Sequence, residues 1–429
     1  MSISQNFQSF LNNLKISNDE QISLRYGEIT ASLNKEFRNT ESKTENNLQV
    51  GSYGRWTGIK GISDLDMLYL MPQKKWLDYD VAGGQSALLT DTKNVIKKRY
   101  PNTNIFVDSP VVRVLYKNFH VEVQPVFEQA DGSFKYPDTR NGGSWKTTKP
   151  RDEITEISKS DKEKNYNLRP LCKMIRAWKN KHGVAMGGLM IDTLANNFLK
   201  STSAYDDKSF LYYDYMSRDF FEFISNEPDK EHYAALGSGQ RVKVKAKFQK
   251  AAKKAHGLCV KAIDAANTDS ENKKWQKIYG RHFPAAISVV KSESTDISRD
   301  DNTEQFIEDM FSVDIKYPLQ IDCTVSQNGY RETTLRDFLK QKVRIKTSRS
   351  LNFHVVGGVI PGNYSVYWKV LNRGDEAIKR KCIRGQIKKD QGHLQIEEHS
   401  NFHGDHIVEC YYVVNDVVVA KDRIEVPIE

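Results

Sequence analysis

Two aspartates in a short alternating stretch constrain the fold of this chain more than any other feature. Residues 64–71 read Asp-Leu-Asp-Met-Leu-Tyr-Leu-Met, and acidic and apolar side chains alternate at the start. Alternation with a period of two predicts a strand, so Asp64 and Asp66 share one face of it. Two carboxylates held side by side repel each other, and the pair therefore requires a cation. Because the donors are oxygens, we expect Mg²⁺, with Mn²⁺ as an alternative.

A glycine–serine turn comes just before this strand. Gly51 and Ser52 follow a short apolar run, and Ser52 lies twelve residues before Asp64. A turn that opens a helix can present backbone N–H groups and a hydroxyl to an anion. Either motif alone is common. The carboxylates of an Asp-x-Asp motif often simply face water, and Gly-Ser often forms an ordinary turn. Together they favour a phosphate site beside a metal site, as in a nucleotidyltransferase palm.

A third acidic residue interrupts a later apolar run. Glu122 stands between Val121 and Val123 in a segment that continues to Phe127 and reads as a buried strand. A charge inside such a strand costs several kcal/mol unless it is paired or bound to a metal. We therefore predict that Glu122 joins Asp64 and Asp66 as a catalytic residue and metal ligand. The alternative is a glutamate on an edge strand that faces water.

These motifs resemble the DNA polymerase β superfamily. In detail they resemble the CD-NTases, the bacterial relatives of cyclic GMP-AMP synthase and oligoadenylate synthetase that make second-messenger oligonucleotides. The segments similar to the CD-NTase core are Gly51–Thr57, Ser63–Asp66, Leu168–Lys179 and Leu189–Leu194. Those similar to the sensor domain that follows many such enzymes are Trp368–Gly374, Ile383–Ile387 and Phe402–Tyr411. One departure is Glu122, where many relatives carry aspartate.

The predicted architecture is α+β, with a polymerase-β-like palm, a helical second lobe and a small C-terminal β-sandwich. Strand patterns give way to helical ones near Asn167, and a polar segment, Lys291–Thr303, reads as a linker. Short strands bounded by glycine, proline and Asn-Asp turns follow the linker. The predicted domains are the palm with an N-terminal bracing helix (1–160), the helical lobe (161–290), the linker with short helices (291–345) and the sandwich (346–429).

The helix after the palm carries several basic residues. Arg176 and Lys179 are one turn apart and Lys173 precedes them. The resemblance implies that basic residues here bind the donor triphosphate; the alternative is a solvated basic face. It also implies an aromatic residue that stacks on the donor base, which the sequence does not identify.

The acidic trio and the phosphate turn favour Mg²⁺-dependent nucleotidyl transfer between nucleoside triphosphates such as ATP or GTP. The resemblance alone implies a cyclic di- or trinucleotide product, bacterial anti-phage signalling (CBASS) and ancillary regulators that act on the enzyme. Two alternatives stay open. One is a catalytically inactive protein that senses nucleotides or nucleic acid, and the other is a transferase that modifies tRNA or a small molecule.

Composition limits the class of protein and the compartment to which this chain can belong. The net charge of +9 suits a protein that handles polyphosphates, and it suits nucleic-acid binding equally well. The five cysteines form no Cys-x-x-Cys pair, which favours buried thiols in a reducing compartment. No apolar run approaches the length of a membrane helix. We therefore expect a cytoplasmic protein with no membrane partner.

Overall fold

The structure is a computed structural model that describes residues 2–117, 119–285, 304–327 and 332–429. These residues form two compact units. The first comprises residues up to 178 and residues 187–285, and the second comprises residues 179–186 and those from 304 onward. The predicted linker Lys291–Thr303 lies outside the described residues. Every described helix is too short or too polar to cross a membrane.

A seven-stranded sheet forms the palm of the first unit. Its strands are β1 (Asn47–Gln49), β2 (Asp64–Leu70), β3 (Asn104–Asp108), β4 (Val111–Leu115), β5 (His120–Glu128), β6 (Phe134–Asp138) and β7 (Ser144–Thr148). Five of them follow the order β1-β2-β5-β4-β3, and β6 and β7 continue from β5 as a hairpin. The pairing of β2 with β5 is parallel, whereas the other pairs of this sheet are antiparallel.

Two long helices cover one face of this sheet. The helices of the palm are α1 (Ile3–Asn13), α2 (Asp19–Arg38), α3 (Gly51–Gly54), α4 (Trp76–Tyr79) and α5 (Gly84–Arg99), with short 3-10 turns at Gln73–Lys75 and Arg140–Gly142. The apolar stripe of α2 packs with α5 against the buried side of β2, where Leu65 and Met67 lie. α2 ends where Asn39 adopts a left-handed conformation (φ 57°), which asparagine tolerates. α2 thus packs along the buried face of the palm.

Helices dominate the remainder of the first unit. They are α6 (Pro150–Glu163), α7 (Leu168–His182), α8 (Gly188–Ser201), α9 (Tyr213–Ser225), α10 (Gln249–Ile263) and α11 (Glu271–Tyr279), with a 3-10 turn at Phe210–Tyr212 and a hairpin of β8 (His232–Ala234) and β9 (Arg241–Lys243). The last residues of α7, from Lys179, count with the second unit. The aromatic side chains of α9 are mostly core: Phe220 and Phe221 are fully buried.

Two sheets pack around one core in the second unit. Its elements are α12 (Ile307–Met310), β10 (Ser312–Val313), β11 (Gln320–Ser326), β12 (Thr333–Thr334), α13 (Leu335–Gln341), β13 (Ser350–Gly357), β14 (Ser365–Leu371), α14 (Asp375–Lys379), β15 (Arg384–Lys389), β16 (Gln395–His399), β17 (Gly404–Val414) and β18 (Val417–Ile428). One sheet has the order β10-β18-β17-β14-β15 and the other β12-β11-β13-β16. The α+β class with a C-terminal sandwich is therefore confirmed.

The sandwich starts earlier in the chain than the predicted boundary at residue 346. β11 pairs with β13 along its whole length, and its Ile321 and Cys323 belong to the core between the sheets. The segment 320–326 is therefore a central strand of the sandwich and not part of a linker. Its sequence, Gln-Ile-Asp-Cys-Thr-Val-Ser, alternates polar and apolar residues as expected of a strand.

Candidate active site

The parallel register of β2 and β5 brings the acidic residues together. Asp64 pairs with His120, and Asp66 pairs with Glu122. Because residues two apart on a strand share a face, all four side chains lie on the same side of the sheet. The structure thus places the three predicted acids side by side, and it adds a histidine that the sequence analysis did not assign.

His120 lies between two of the carboxylates. Its Nε2 is 2.9 Å from Asp64 Oδ1 and 3.2 Å from Glu122 Oε1, and the residue is 5% exposed. Arg113, opposite Glu122 on β4, places its guanidinium 2.9 Å from the same Oε1. The Ser63 hydroxyl lies 2.9 Å from Asp64 Oδ1 and donates to it. Positive and hydrogen-bonding groups therefore offset the repulsion between the acids.

The donor atoms of this cluster fit a divalent cation. Each of three residues offers one ligand atom, and these atoms lie within 4.8 Å of one another: Asp64, His120 and Glu122. Asp66 lies on the same face, next to both acids in the strand register. Carboxylate oxygens suit Mg²⁺ and Mn²⁺, and an imidazole nitrogen is a common ligand of the transition metals. These residues could hold the expected metal.

The glycine–serine turn lies directly against this cluster. α3 is one helical turn that begins at Gly51, whose φ of +64° favours glycine. A Cβ placed on Gly51 would stand 1.7 Å from Asp66 Oδ2, so only glycine allows the carboxylate to approach the turn this closely. The Val50 N–H also donates to the Asp66 carbonyl at 3.1 Å. Ser52, half-buried in the same turn, is therefore held next to the acidic cluster.

A buried charge network lies behind this turn. Arg55, which follows α3, donates to Asp192 of α8 at 2.9 Å and to Glu153 of α6 at 3.0 Å. Arg176 of α7 donates to the other oxygen of Asp192 at 2.6 Å, and the Thr57 hydroxyl donates to Asp192 at 3.0 Å. All five residues are nearly inaccessible to solvent. The network therefore fixes the end of the turn to three helices of the same unit.

Asp192 and Glu153, the two acids of this network, have different pKa values because their partners differ. Burial on its own raises the pKa of Asp192, but attraction to Arg176 and Arg55 and their hydrogen bonds outweigh it and lower the pKa to about 2. Burial raises the pKa of Glu153 above its usual value, against the attraction of Arg55. Asp192 is therefore the firmly ionised centre of the network.

The basic residues predicted to bind triphosphate lie in different surroundings. Arg176 is buried and also donates to the Gly188 carbonyl at 3.0 Å. Lys179, 4% exposed, belongs to the second unit and donates to Asp314 at 2.7 Å and to the Ile315 carbonyl at 2.9 Å. Arg176 and Lys179 thus bond separate partners, although they are one turn apart.

Lys173 differs from both because its surroundings are mainly basic. Burial and the nearby charges of Arg169 and Lys15 lower the pKa of Lys173. Arg169 also donates to the carbonyl of Arg55, the residue that follows the glycine–serine turn. Lys173 therefore lies among basic side chains of the first unit, of which Arg169 is itself paired with Asp161 at 3.2 Å, and such surroundings favour an anion.

Two features of the site were missed in the sequence. His120 precedes Glu122 by two positions, and this spacing on a strand was a usable signal for a shared face. Trp56 lies two residues after the turn, is 72% exposed and has a left-handed φ of 62°, which is rare for a bulky residue. An exposed tryptophan in a strained backbone next to a candidate catalytic turn is itself a functional signal.

Comparison with known families decides what the chain is. Residues 1–161 match the family model of the Second Messenger Oligonucleotide or Dinucleotide Synthetase (SMODS) domain. Residues 301–429 match the Adenylyl/Guanylyl and SMODS C-terminal sensor domain. The chain is a CD-NTase. It is accordingly a nucleotidyltransferase, and its palm with the acidic cluster lies within the synthetase match.

One solved structure shares the fold of this CD-NTase at low identity, and two others are weaker matches. The complex of Escherichia coli MS115-1 CdnC with HORMA-deltaN matches with a TM-score of 0.50 and 13% identity, over 66% of this chain and 98% of that one. CdnC with ATP gives 0.48 and 14% over the same shares. The apo form of Vibrio cholerae DncV gives 0.45 and 15%, over 56% of this chain and 69% of that one. Among curated protein sequences, none matches this chain significantly.

Proposed function

We propose that this CD-NTase joins nucleoside triphosphates into a cyclic di- or trinucleotide in a reaction that depends on Mg²⁺ or Mn²⁺. The observation that carries the proposal is that Asp64, Asp66 and Glu122 share one face of the sheet, where Asp66 lies against the Gly51 turn. Divalent ions held there would lower the pKa of the acceptor hydroxyl and stabilise the leaving pyrophosphate in an in-line displacement. His120 serves either as a further ligand or as a partner that orients the acids.

The residues around the cluster bind and orient the donor nucleotide in this proposal. The first N–H groups of a helix have no acceptor within the helix, so those of Gly51 and Ser52 suit the β and γ phosphates. We assign further triphosphate contact to Lys173, whose neighbours are already basic. Arg176 instead positions the turn through Asp192, because its guanidinium is already bonded there.

The donor base needs an aromatic partner, and we assign that role to Trp56. The indole is exposed next to the turn that would bind the phosphates of the same nucleotide. Stacking of a base on an aromatic side chain is worth about 1–3 kcal/mol and tolerates different bases. It would therefore hold the donor without fixing which nucleotide is used.

The biological setting extends the proposal by analogy with relatives. One similar structure is described as a CdnC:HORMA-deltaN complex and another as CdnC with ATP. We propose ATP or GTP as substrates, an ancillary regulatory protein as partner, and a role in anti-phage signalling. The formal charge of +9 also suits nucleic acid, so stimulation by DNA is an additional outcome to measure.

The test is to incubate the full chain with all four nucleoside triphosphates and either Mg²⁺ or Mn²⁺, and to identify products by mass spectrometry. We expect a product that lacks a terminal phosphate and resists phosphatase. The variant D64N/D66N should lose the product, whereas Asp207→Asn, which changes an exposed carboxylate, should keep it. Identical nucleotide patterns from wild type and D64N/D66N would overturn the catalytic assignment. A product that forms only with added RNA or a small-molecule acceptor would replace cyclisation with modification of that acceptor.

A further inference from the structure

A cavity of about 300 Å³ opens into the β-sandwich of the second unit. It is lined by the first residues of β13, β15 and β17 and the last residues of β14, β16 and β18. Because consecutive strands here are antiparallel, these positions meet at one end of the sandwich. The volume lies at the lower end of the range of small-molecule sites.

The floor of this cavity is apolar. Leu351 and Phe353 of β13 face Val370, Val408 and Val426 of the other sheet, and all five are buried members of the sandwich core. The cavity therefore reaches between the two sheets and is more than a surface depression. An apolar group placed there would exchange water for contacts on both sides.

The rim of the cavity is polar and contains two guanidinium groups. Arg380, Arg384 and Glu398 line it, together with His399 and Asn401. Arg384 binds both oxygens of Glu398, at 2.6 and 2.8 Å, so this pair contributes no net charge. Arg380, whose side chain is 53% exposed, donates from Nε to Glu376 at 2.6 Å, and Glu376 itself does not line the cavity. The hydrogen bond to Glu376 uses Nε, so the terminal nitrogens of Arg380 can donate to an anionic group at the rim.

The rim is also ordered by buried hydrogen bonds. His406 is 5% exposed; its Nδ1 accepts from the Arg373 N–H at 3.1 Å, and its Nε2 faces the Phe402 carbonyl at 3.3 Å. Burial lowers the pKa of His406, which favours the neutral ring that this pair of bonds requires. The Phe402 ring meets the His406 ring edge-on at 5.1 Å, and the Arg380 guanidinium lies 5.4 Å from the Phe402 ring centre. Arg380 is thereby placed at the mouth of the cavity.

We propose that this cavity binds a small amphipathic organic anion. The apolar body of the ligand lies between the two sheets, and its carboxylate or phosphate meets Arg380 at the rim, with Arg384 next to it. Both anionic groups match the donors of a guanidinium. Every residue that forms the site belongs to the second unit, and the proposal does not depend on the proposed nucleotidyl transfer.

The test is calorimetric titration of the full chain with four probes of equal chain length: decanoate, decyl phosphate, decanol and decyltrimethylammonium. Decanoate or decyl phosphate should bind at least about tenfold more tightly than decanol, because a charge-assisted hydrogen bond is added. The cation should bind more weakly than decanol. Comparison of decanoate with decyl phosphate distinguishes a carboxylate ligand from a phosphate ligand.

Two variants locate the binding in the cavity. Arg380→Gln should weaken decanoate roughly tenfold and leave decanol within twofold, whereas Lys389→Gln, which changes an exposed residue outside the lining, should alter neither. Val408→Phe should fill the cavity and abolish binding of both probes; thermal unfolding shows whether that variant is folded. Equal affinity for all four probes, no binding of either anion, or anion binding insensitive to Arg380→Gln would overturn the proposal.

Discussion

The carboxylate of Asp192 holds two buried arginines, and asparagine in its place removes the charge with little change in shape. Asp192 is fully buried and bonds Arg55 at 2.9 Å and Arg176 at 2.6 Å. Removing one partner of a buried ion pair leaves an uncompensated charge and costs about 3–5 kcal/mol. Asp192→Asn removes the negative charge that both arginines share, although Arg55 keeps its bond to Glu153. We therefore expect the free energy of unfolding of the first unit to fall by about 3–5 kcal/mol.

Urea unfolding followed by tryptophan fluorescence measures this loss. Five of the six tryptophans belong to the first unit: Trp56, Trp76, Trp145, Trp178 and Trp275. The matched control is Asp206→Asn in the same unit, which removes an acid that is 43% exposed and paired with Lys164. Exposed pairs are worth about 0–1 kcal/mol, so the control should remain near wild type. A loss in Asp192→Asn no larger than that of the control would refute the argument that this network carries buried charge.

The same variant makes a prediction about pH. The pKa of Asp192 in the folded state, about 2, lies below its ordinary value of 3.8. Stability from this depressed pKa is therefore present above about pH 4 and is lost as the pH falls toward 2, and the whole difference corresponds to about 2.5 kcal/mol. The gap in unfolding free energy between wild type and Asp192→Asn should narrow between pH 5 and pH 3. A gap that stays constant would contradict the pKa assignment.

Three further predictions concern the active site. Gly51→Ala should lower turnover about 100-fold, because the added methyl group would displace the carboxylate of Asp66. The control Gly132→Ala, also at positive φ (+78°) but in open space, should keep activity in the product assay. His120→Gln should raise the Mg²⁺ or Mn²⁺ concentration for half-maximal activity roughly 10–100-fold, and an unchanged metal titration would remove the histidine from the site. Lys173→Met should raise KM for nucleoside triphosphate roughly tenfold, whereas the control Lys162→Met, at an exposed site, should not. Equal KM values for the two variants would exclude the triphosphate contact.

Local sequence patterns determined most of the palm. The alternation in β2, the apolar stripe of α2 and the glycine at a left-handed position are consequences of backbone geometry over a few residues. They can be read without knowing what lies across the core. The prediction that Asp64 and Asp66 share a face therefore needed only the strand, and β2 spans Asp64–Leu70.

The tertiary structure alone decided which charged groups meet. The parallel register of β2 and β5 places His120 against Asp64, and no local pattern encodes that pairing. Likewise, the helical spacing of Arg176 and Lys179 suggested a shared target, but Asp192 and Asp314 take one residue each. The partner of a buried charge is chosen by packing between segments distant in sequence, because only a nearby opposite charge offsets the cost of desolvation. The sequence determined the elements and the faces they present, whereas the fold selected the contacts.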